Sequence, residues 1–303
     1  MRLPRWLTSG PIAARGAVIL AVAGALSLLA VAPAGATHSW GDYHWANANT
    51  LSGERFTLKL GDNVSGLWDA ILITTSSDWT QSAVLDTTIV AGGTAPKACR
   101  PTSGRVEVCS ASYGNTGWLG LAQIWITGGV HIAQGTAKVN DTYFNTSTYD
   151  TTPWRNLVMC QEVAHTFGLD HQDTTFNNAN LGTCMDYTND PDGGVGGAVD
   201  NDPSNEHPNA ADYDELLCKY DLGGFIDLDS SHSCGLASPG HVDSITTVAS
   251  STSSRMPPAM ANGQFDTPGE WGTLVRQSRD GRLSTYERDF GGGNKVVTLV
   301  IRA

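Results

Sequence analysis

Within one short stretch the chain places an amide, a carboxylate and two imidazoles: Gln161-Glu162-Val163-Ala164-His165-Thr166-Phe167-Gly168-Leu169-Asp170-His171. On a helix, Gln161 and His165 are four residues apart, so their side chains leave one face a single turn apart and converge on a common point. Glu162 sits next to that point. Gly168 can take the left-handed backbone conformation that stops a helix, which lets the chain reverse and carry His171 back toward His165. Imidazole nitrogens gripping a divalent cation beside a carboxylate that can move a proton is hydrolytic chemistry. A solvated helix end explains each residue singly. It does not explain the glycine and the second histidine at the required distances.

The stretch resembles the long zinc-binding motif of the metzincin metalloproteases, H-E-x-x-H-x-x-G-x-x-H followed by a methionine-containing turn, and the matrixin-like catalytic domain in particular. Glu162, His165, Gly168 and His171 match, and Gln161 stands where the family has its first histidine. Downstream, Gly182-Thr183-Cys184-Met185-Asp186-Tyr187 resembles the Met-turn, with Met185 as its methionine and Tyr187 as the tyrosine that some metzincin groups use near the metal. The resemblance covers about residues 37–231. It implies an α+β (mixed α/β) domain with a twisted five-stranded mixed sheet and three helices, Zn²⁺ held by His165 and His171, and Glu162 as general base for hydrolysis of protein or peptide substrates. Tyr187 would steady the oxyanion, and residues 119–127 would be the edge strand on which an extended substrate adds by strand pairing. At the altered position three outcomes stay open. Gln161 Oε1 coordinates, or His131, His207, Asp170 or Asp173 takes its place, or the fold serves binding or adhesion without turnover.

The elements that must position these residues follow from pattern. Thr152-Pro153 supplies a cap and a first-turn proline for a helix whose apolar face is Trp154, Leu157, Val158 and Ala164, ending at Gly168. Residues 55–60 alternate as a half-buried strand, and 66–76 suit a helix packed on a sheet. Four further strands are expected at 87–90, 104–109, 119–127 and 132–139, separated by Gly, Pro, Ser and Asn clusters. A last helix runs from residue 210 or 211 to about 220. Residues 232–262, rich in Ser, Thr, Pro and Gly, read as a linker. Beyond it, 271–277, 283–288 and 295–301 read as a small β meander within 263–303, with Asp280-Gly281 as a hairpin turn.

The ends and the composition set the compartment. Arg2, Arg5 and Arg15 precede an apolar run over 17–31 and the small residues Ala34-Gly35-Ala36, the order of an export signal over 1–36. The chain has 18 basic against 30 acidic residues, and three of the basic ones leave with that signal. Such an anionic chain without Lys or Arg clusters is not expected to bind nucleic acid or, once the signal is removed, a membrane. The expectation is a secreted, extracellular monomer.

Six cysteines in an exported chain read as disulfides, with Cys99–Cys109, Cys160–Cys184 and Cys218–Cys234 the preferred pairing among the 15 that six cysteines allow. The acidic loop ends at 189–192 and 200–202 could offer oxygen ligands to Ca²⁺, without the helix-loop-helix spacing of a dedicated site. His38, Trp40, His44 and Trp45 read as an anchor for the N-terminal segment or as a cover for the cleft. Asn63, Asn140 and Asn145 each begin a glycosylation tripeptide.

Overall fold

Phe56, Leu58 and Leu60 alternate with polar neighbours and seed the first long strand, as their period requires. The computed structural model describes residues 38–46, 55–195, 199–220, 256–263 and 265–303. The expected export signal, Cys234 and most of the expected linker lie outside these residues. In chain order the elements are β1 (His44–Trp45), β2 (Phe56–Asn63), α1 (Leu67–Trp79), β3 (Leu85–Ala91), β4 (Val106–Ala111), β5 (Trp118–Thr127), β6 (His131–Asn140), α2 (Asp141–Phe144), α3 (Thr152–His165), α4 (Ala210–Tyr220), α5 (Pro258–Ala261), β7 (Thr273–Gln277), β8 (Leu283–Gly291) and β9 (Asn294–Arg302). This is a mixed α/β arrangement built on one large mixed sheet. Two short elements, β1 and α2, carry no pattern long enough to read from sequence.

The sheet runs β3-β2-β4-β6-β5-β9-β8-β7, with β1 added to β6. Strands β2, β3, β4 and β6 pair in parallel, and β5, β9, β8 and β7 continue the sheet antiparallel. The expectation of a five-stranded sheet is therefore corrected: the sheet has nine strands, and the small β meander expected at the C-terminal end, β7–β9, continues it.

The physical reason is the burial of β5. Every residue of β5 is buried, which requires cover on both faces and along its outer edge. On one face Leu119, Ala122, Ile124 and Ile126 join the main core with α3. On the other, Trp118, Leu121 and Trp125 pack with Met260, Phe265, Trp271, Val296 and Val300 of the C-terminal segment. Strand β9 supplies the edge, with Val296, Val297, Leu299, Val300 and Ile301 all at or below 2% exposure. At roughly 1.5–3 kcal/mol for each fully buried aliphatic side chain, that strand's burial is of the order of a domain's whole net stability.

Helix α1 runs one turn farther than the pattern predicted, because Trp79 is fully buried and its indole N–H reaches the Cys160 carbonyl at 3.3 Å. That contact packs α1 on α3. Of the glycosylation tripeptides, Asn63 and Asn140 are buried and hydrogen-bonded to Glu107 and to the 114–118 loop, while Asn145 is exposed.

Candidate functional site

Helix α3 is capped one residue before the expected Thr152: the Thr151 side chain accepts the Trp154 N–H, Thr152 is the first helical residue, and Pro153 occupies the first turn. Its residues from Arg155 to His165 are buried, so the helix threads the interior and delivers Gln161, Glu162 and His165 to a place none of them would choose unaided. All three are 0% exposed. A disulfide from Cys160 to Cys184 ties the helix to the turn carrying Met185, and Cys99 is bonded to Cys109.

After His165 the chain turns through Gly168, whose φ of 86° lies in the left-handed region. A side chain there is blocked on two counts, since a Cβ would lie 2.0 Å from the Tyr43 carbonyl oxygen. The reversal brings His171 to His165, with ring centroids 4.6 Å apart and planes at 63°. His165 Nδ1 lies 2.9 Å from the Leu169 carbonyl oxygen. His171 Nδ1 lies 3.3 Å from Asp170 Oδ1, which also accepts the His171 backbone N–H and the Arg276 guanidinium. Each ring thus spends Nδ1 on an orienting partner and keeps Nε2 for something else.

The unpartnered polar atoms of this stretch are the central observation. Gln161 Oε1 and Nε2, Glu162 Oε1 and Oε2, His165 Nε2 and His171 Nε2 are all buried, and none has a hydrogen-bond partner. Buried polar atoms are normally paired, because an unpaired one costs about 1–3 kcal/mol. Burial alone pushes the Glu162 carboxyl well above its usual range. Burial and the neighbouring His171 lower His165 to about 3, which keeps its imidazole neutral. Burial would raise Asp170, yet the bonds and charges of His171 and Arg276 hold it below the usual carboxylate range.

The supports come from far along the chain, and sequence reasoning missed most of them. Backbone bonds from Trp40 to Gly168 and from Asp170 to His38 clamp the turn, and the Trp45 indole donates to the Thr166 carbonyl. The 38–45 segment is therefore a clamp on the motif turn. Met185 is fully buried, its carbonyl accepts the Gln172 N–H, and its own N–H is accepted by Thr183 Oγ1. Asp212 of α4 gathers Thr183, Gln172, Asn209 and His38 around one buried carboxylate. Gly120 of β5 passes against Glu162, where a Cβ would fall 2.2 Å from Oε1. A lone glycine inside an apolar strand is the signal that could have marked this close approach.

The expected substitutes for a third histidine are not brought to the pair. His207 is bound to Asp78 at 2.7 Å, and His131 stacks edge-on with His44 at 5.1 Å between centroids. Asp173 accepts from Thr175 and Asn178, and Asp170 is committed to His171 and Arg276. Among the described residues no group of three or more His, Cys, Asp and Glu side chains is arranged to hold a metal ion. Tyr187 is buried against Phe176, at 4.8 Å between centroids, and its hydroxyl lies against Arg282.

No protein-family model matches the chain, and no curated protein proved similar to it.

Proposed function

We propose that this chain is a secreted, zinc-dependent peptidase of metzincin type, in which His165 Nε2, His171 Nε2 and Gln161 Oε1 hold the metal and Glu162 is the general base. One observation carries this reading. His165, its imidazole kept neutral by burial, lies 4.6 Å ring to ring from His171, and six polar atoms of these two residues, Gln161 and Glu162 are buried without partners, the state expected of ligands awaiting a cation and water.

Zinc bound there would lower the proton affinity of water and polarise a peptide carbonyl. Glu162 accepts the proton released as water attacks that carbonyl and hands it to the departing amine. Its environment suits the task, since burial raises its affinity for a proton well above that of an ordinary carboxylate. Asp170 holds the His171 ring, and the Leu169 carbonyl holds the His165 ring. Met185 packs in the core close to them, and Tyr187 is the candidate for steadying the oxyanion. Both disulfides agree with an oxidising, extracellular compartment. None of the described helices is long and apolar enough to cross a membrane.

A second reading, a secreted binding protein without turnover, rests on Gln161 alone. The two separate by metal analysis. The first expects about one Zn²⁺ per chain after dialysis against trace zinc, and tighter binding in Gln161→His, because imidazole is the better zinc ligand. A metal-free protein, or a Gln161→His variant with unchanged affinity, removes Gln161 and zinc from the account.

A further inference from the structure

We propose that the C-terminal segment β7–β9 is a built-in occupant of the edge on which a peptide would bind, so that the chain carrying it is a latent peptidase. This rests on the peptidase reading above. Strand β5 has β6 on one side and β9 on the other, paired antiparallel from Trp118 opposite Arg302 to Ile126 opposite Lys295. From Gly120 to Ile126, β5 is paired on both sides, which leaves that stretch no open edge for an added strand.

The register fixes where the occupation matters. Gly120, the residue pressed against the Glu162 carboxylate, lies opposite Ile301, and Leu121 lies opposite Val300. Backbone adjacent to the general base is therefore already taken by the chain's own strand. Strands β7 and β8 hold the site from the front. The Arg276 guanidinium binds the carboxylate that orients His171. The Arg282 guanidinium lies 4.5 Å from the Phe176 ring centroid and against the Tyr187 hydroxyl. A pocket of about 140 Å³ beside His171 is walled by Arg276, Leu283, Leu299, Val300 and Ile301. Glu162 and His165 have no exposed surface.

Residues 221–257 join α4 to α5 and the segment, and 232–257 of them are rich in Ser and Thr. A cut there converts retention of the occupant from intramolecular to bimolecular and lets dilution or substrate displace it. Removal of the tether is thus the activating step. Arg276 and Arg282 set how firmly the occupant stays.

The test uses the full chain with a specific protease sequence placed at residues 240–246, zinc-loaded and diluted before and after cutting. Hydrolysis of a fluorogenic peptide library should rise about tenfold or more on cutting, and adding back a synthetic 294–302 peptide should reverse it. A parallel readout needs no turnover: carbethoxylation of His165 and His171 in the metal-free chain, followed by mass spectrometry, should be slow when intact and faster when cut. An uncut Arg276→Ala/Arg282→Ala variant should shift both measurements in the same direction. Equal hydrolysis and equal histidine reactivity before and after cutting would overturn latency. Histidines that become reactive with no hydrolysis at all would uphold the occupant and sink the peptidase.

Discussion

Two carboxylates in this molecule are equally buried and oppositely treated. Asp212 and Glu162 are both 0% exposed. Around Asp212, Gln172 and His38 approach Oδ1 while Thr183 and Asn209 donate to Oδ2. Around Glu162 neither oxygen has a partner. Folding alone would not retain the second arrangement, because a carboxylate that gives no hydrogen bonds in return for its desolvation lowers stability. The contrast separates a group bound into the architecture from one that the proposed function would use. It also states what substitution should do at each: remove Asp212 and the fold suffers, remove Glu162 and only the reaction does.

The largest expected effect is on catalysis. Glu162→Gln should lower kcat/KM of the activated chain by about 10²–10⁴, the range for loss of a positioned general base. Thermal unfolding should be unchanged or shifted upward, since the neutral amide no longer needs desolvation as a charge. A Glu162→Gln variant that unfolds earlier would place Glu162 with Asp212 among the architectural groups. Next comes Asp212→Ala, which strips the partner from four groups that hold the Met185 turn and the N-terminal clamp. Its cost should be about 3–5 kcal/mol, read as a drop in denaturant midpoint. A loss under about 1 kcal/mol would mean that the network is redundant.

This contrast also explains what could be read in advance. The helix and turn of the Gln161–His171 stretch were legible because their geometry is local: a first-turn proline and a left-handed glycine are decided within about twenty residues, though the cap is Thr151 and not the expected Thr152. Cys99–Cys109 was legible because it closes a short loop, and Cys160–Cys184 because it ties the motif helix to the turn after it. Asp212 was not, because His38, Gln172 and Thr183 reach it from separate parts of the chain, and nothing in their types announces it. Nor was the pairing of β5 with β9. Gln123 and Thr298 bond across 175 residues, and strand partners at that distance are chosen by which buried edges remain to be covered. One sign was present. Residues 294–302 read Asn-Lys-Val-Val-Thr-Leu-Val-Ile-Arg, a near-continuous apolar run that suits a strand buried on both faces better than a solvent-facing meander.

Gly120→Ala probes the chemistry side of the comparison from the neighbouring strand. The added methyl would lie 2.2 Å from Glu162 Oε1 and 2.7 Å from Val158 Cγ1, so the carboxylate or the strand must move. Overpacking of this kind costs about 1–3 kcal/mol, and displacement of the base should lower kcat more than it raises KM. Unchanged kcat with lowered stability would show that Glu162 tolerates repositioning, and would weaken the link between β5 and the general base.

Asp186 stands between the two extremes and gives the smallest and most specific test. It is 1% exposed. Its Oδ2 accepts from the Leu181 N–H and Asn205 Nδ2, both at 2.8 Å, while its Oδ1 is buried without a partner. Burial raises its carboxyl to about 6, the two hydrogen bonds opposing and the charges of Asp173 and Asp202 adding to the rise. Because the folded value lies above the unfolded one of 3.8, the native state binds the extra proton between them. The stabilisation is therefore complete below about pH 4 and is lost as pH rises through 6. Asp186→Asn keeps an acceptor for Leu181 and turns donors toward the neighbouring carboxylates, so this falling limb should vanish. At pH 7 the variant should be more stable by about 1–2 kcal/mol, and at pH 4 the two proteins should unfold alike. Denaturant midpoints across pH 4–8 measure this directly. If the wild-type chain keeps a flat profile there, its half-satisfied carboxylate is already paired like Asp212, and an unpartnered oxygen by itself no longer marks a group held in readiness.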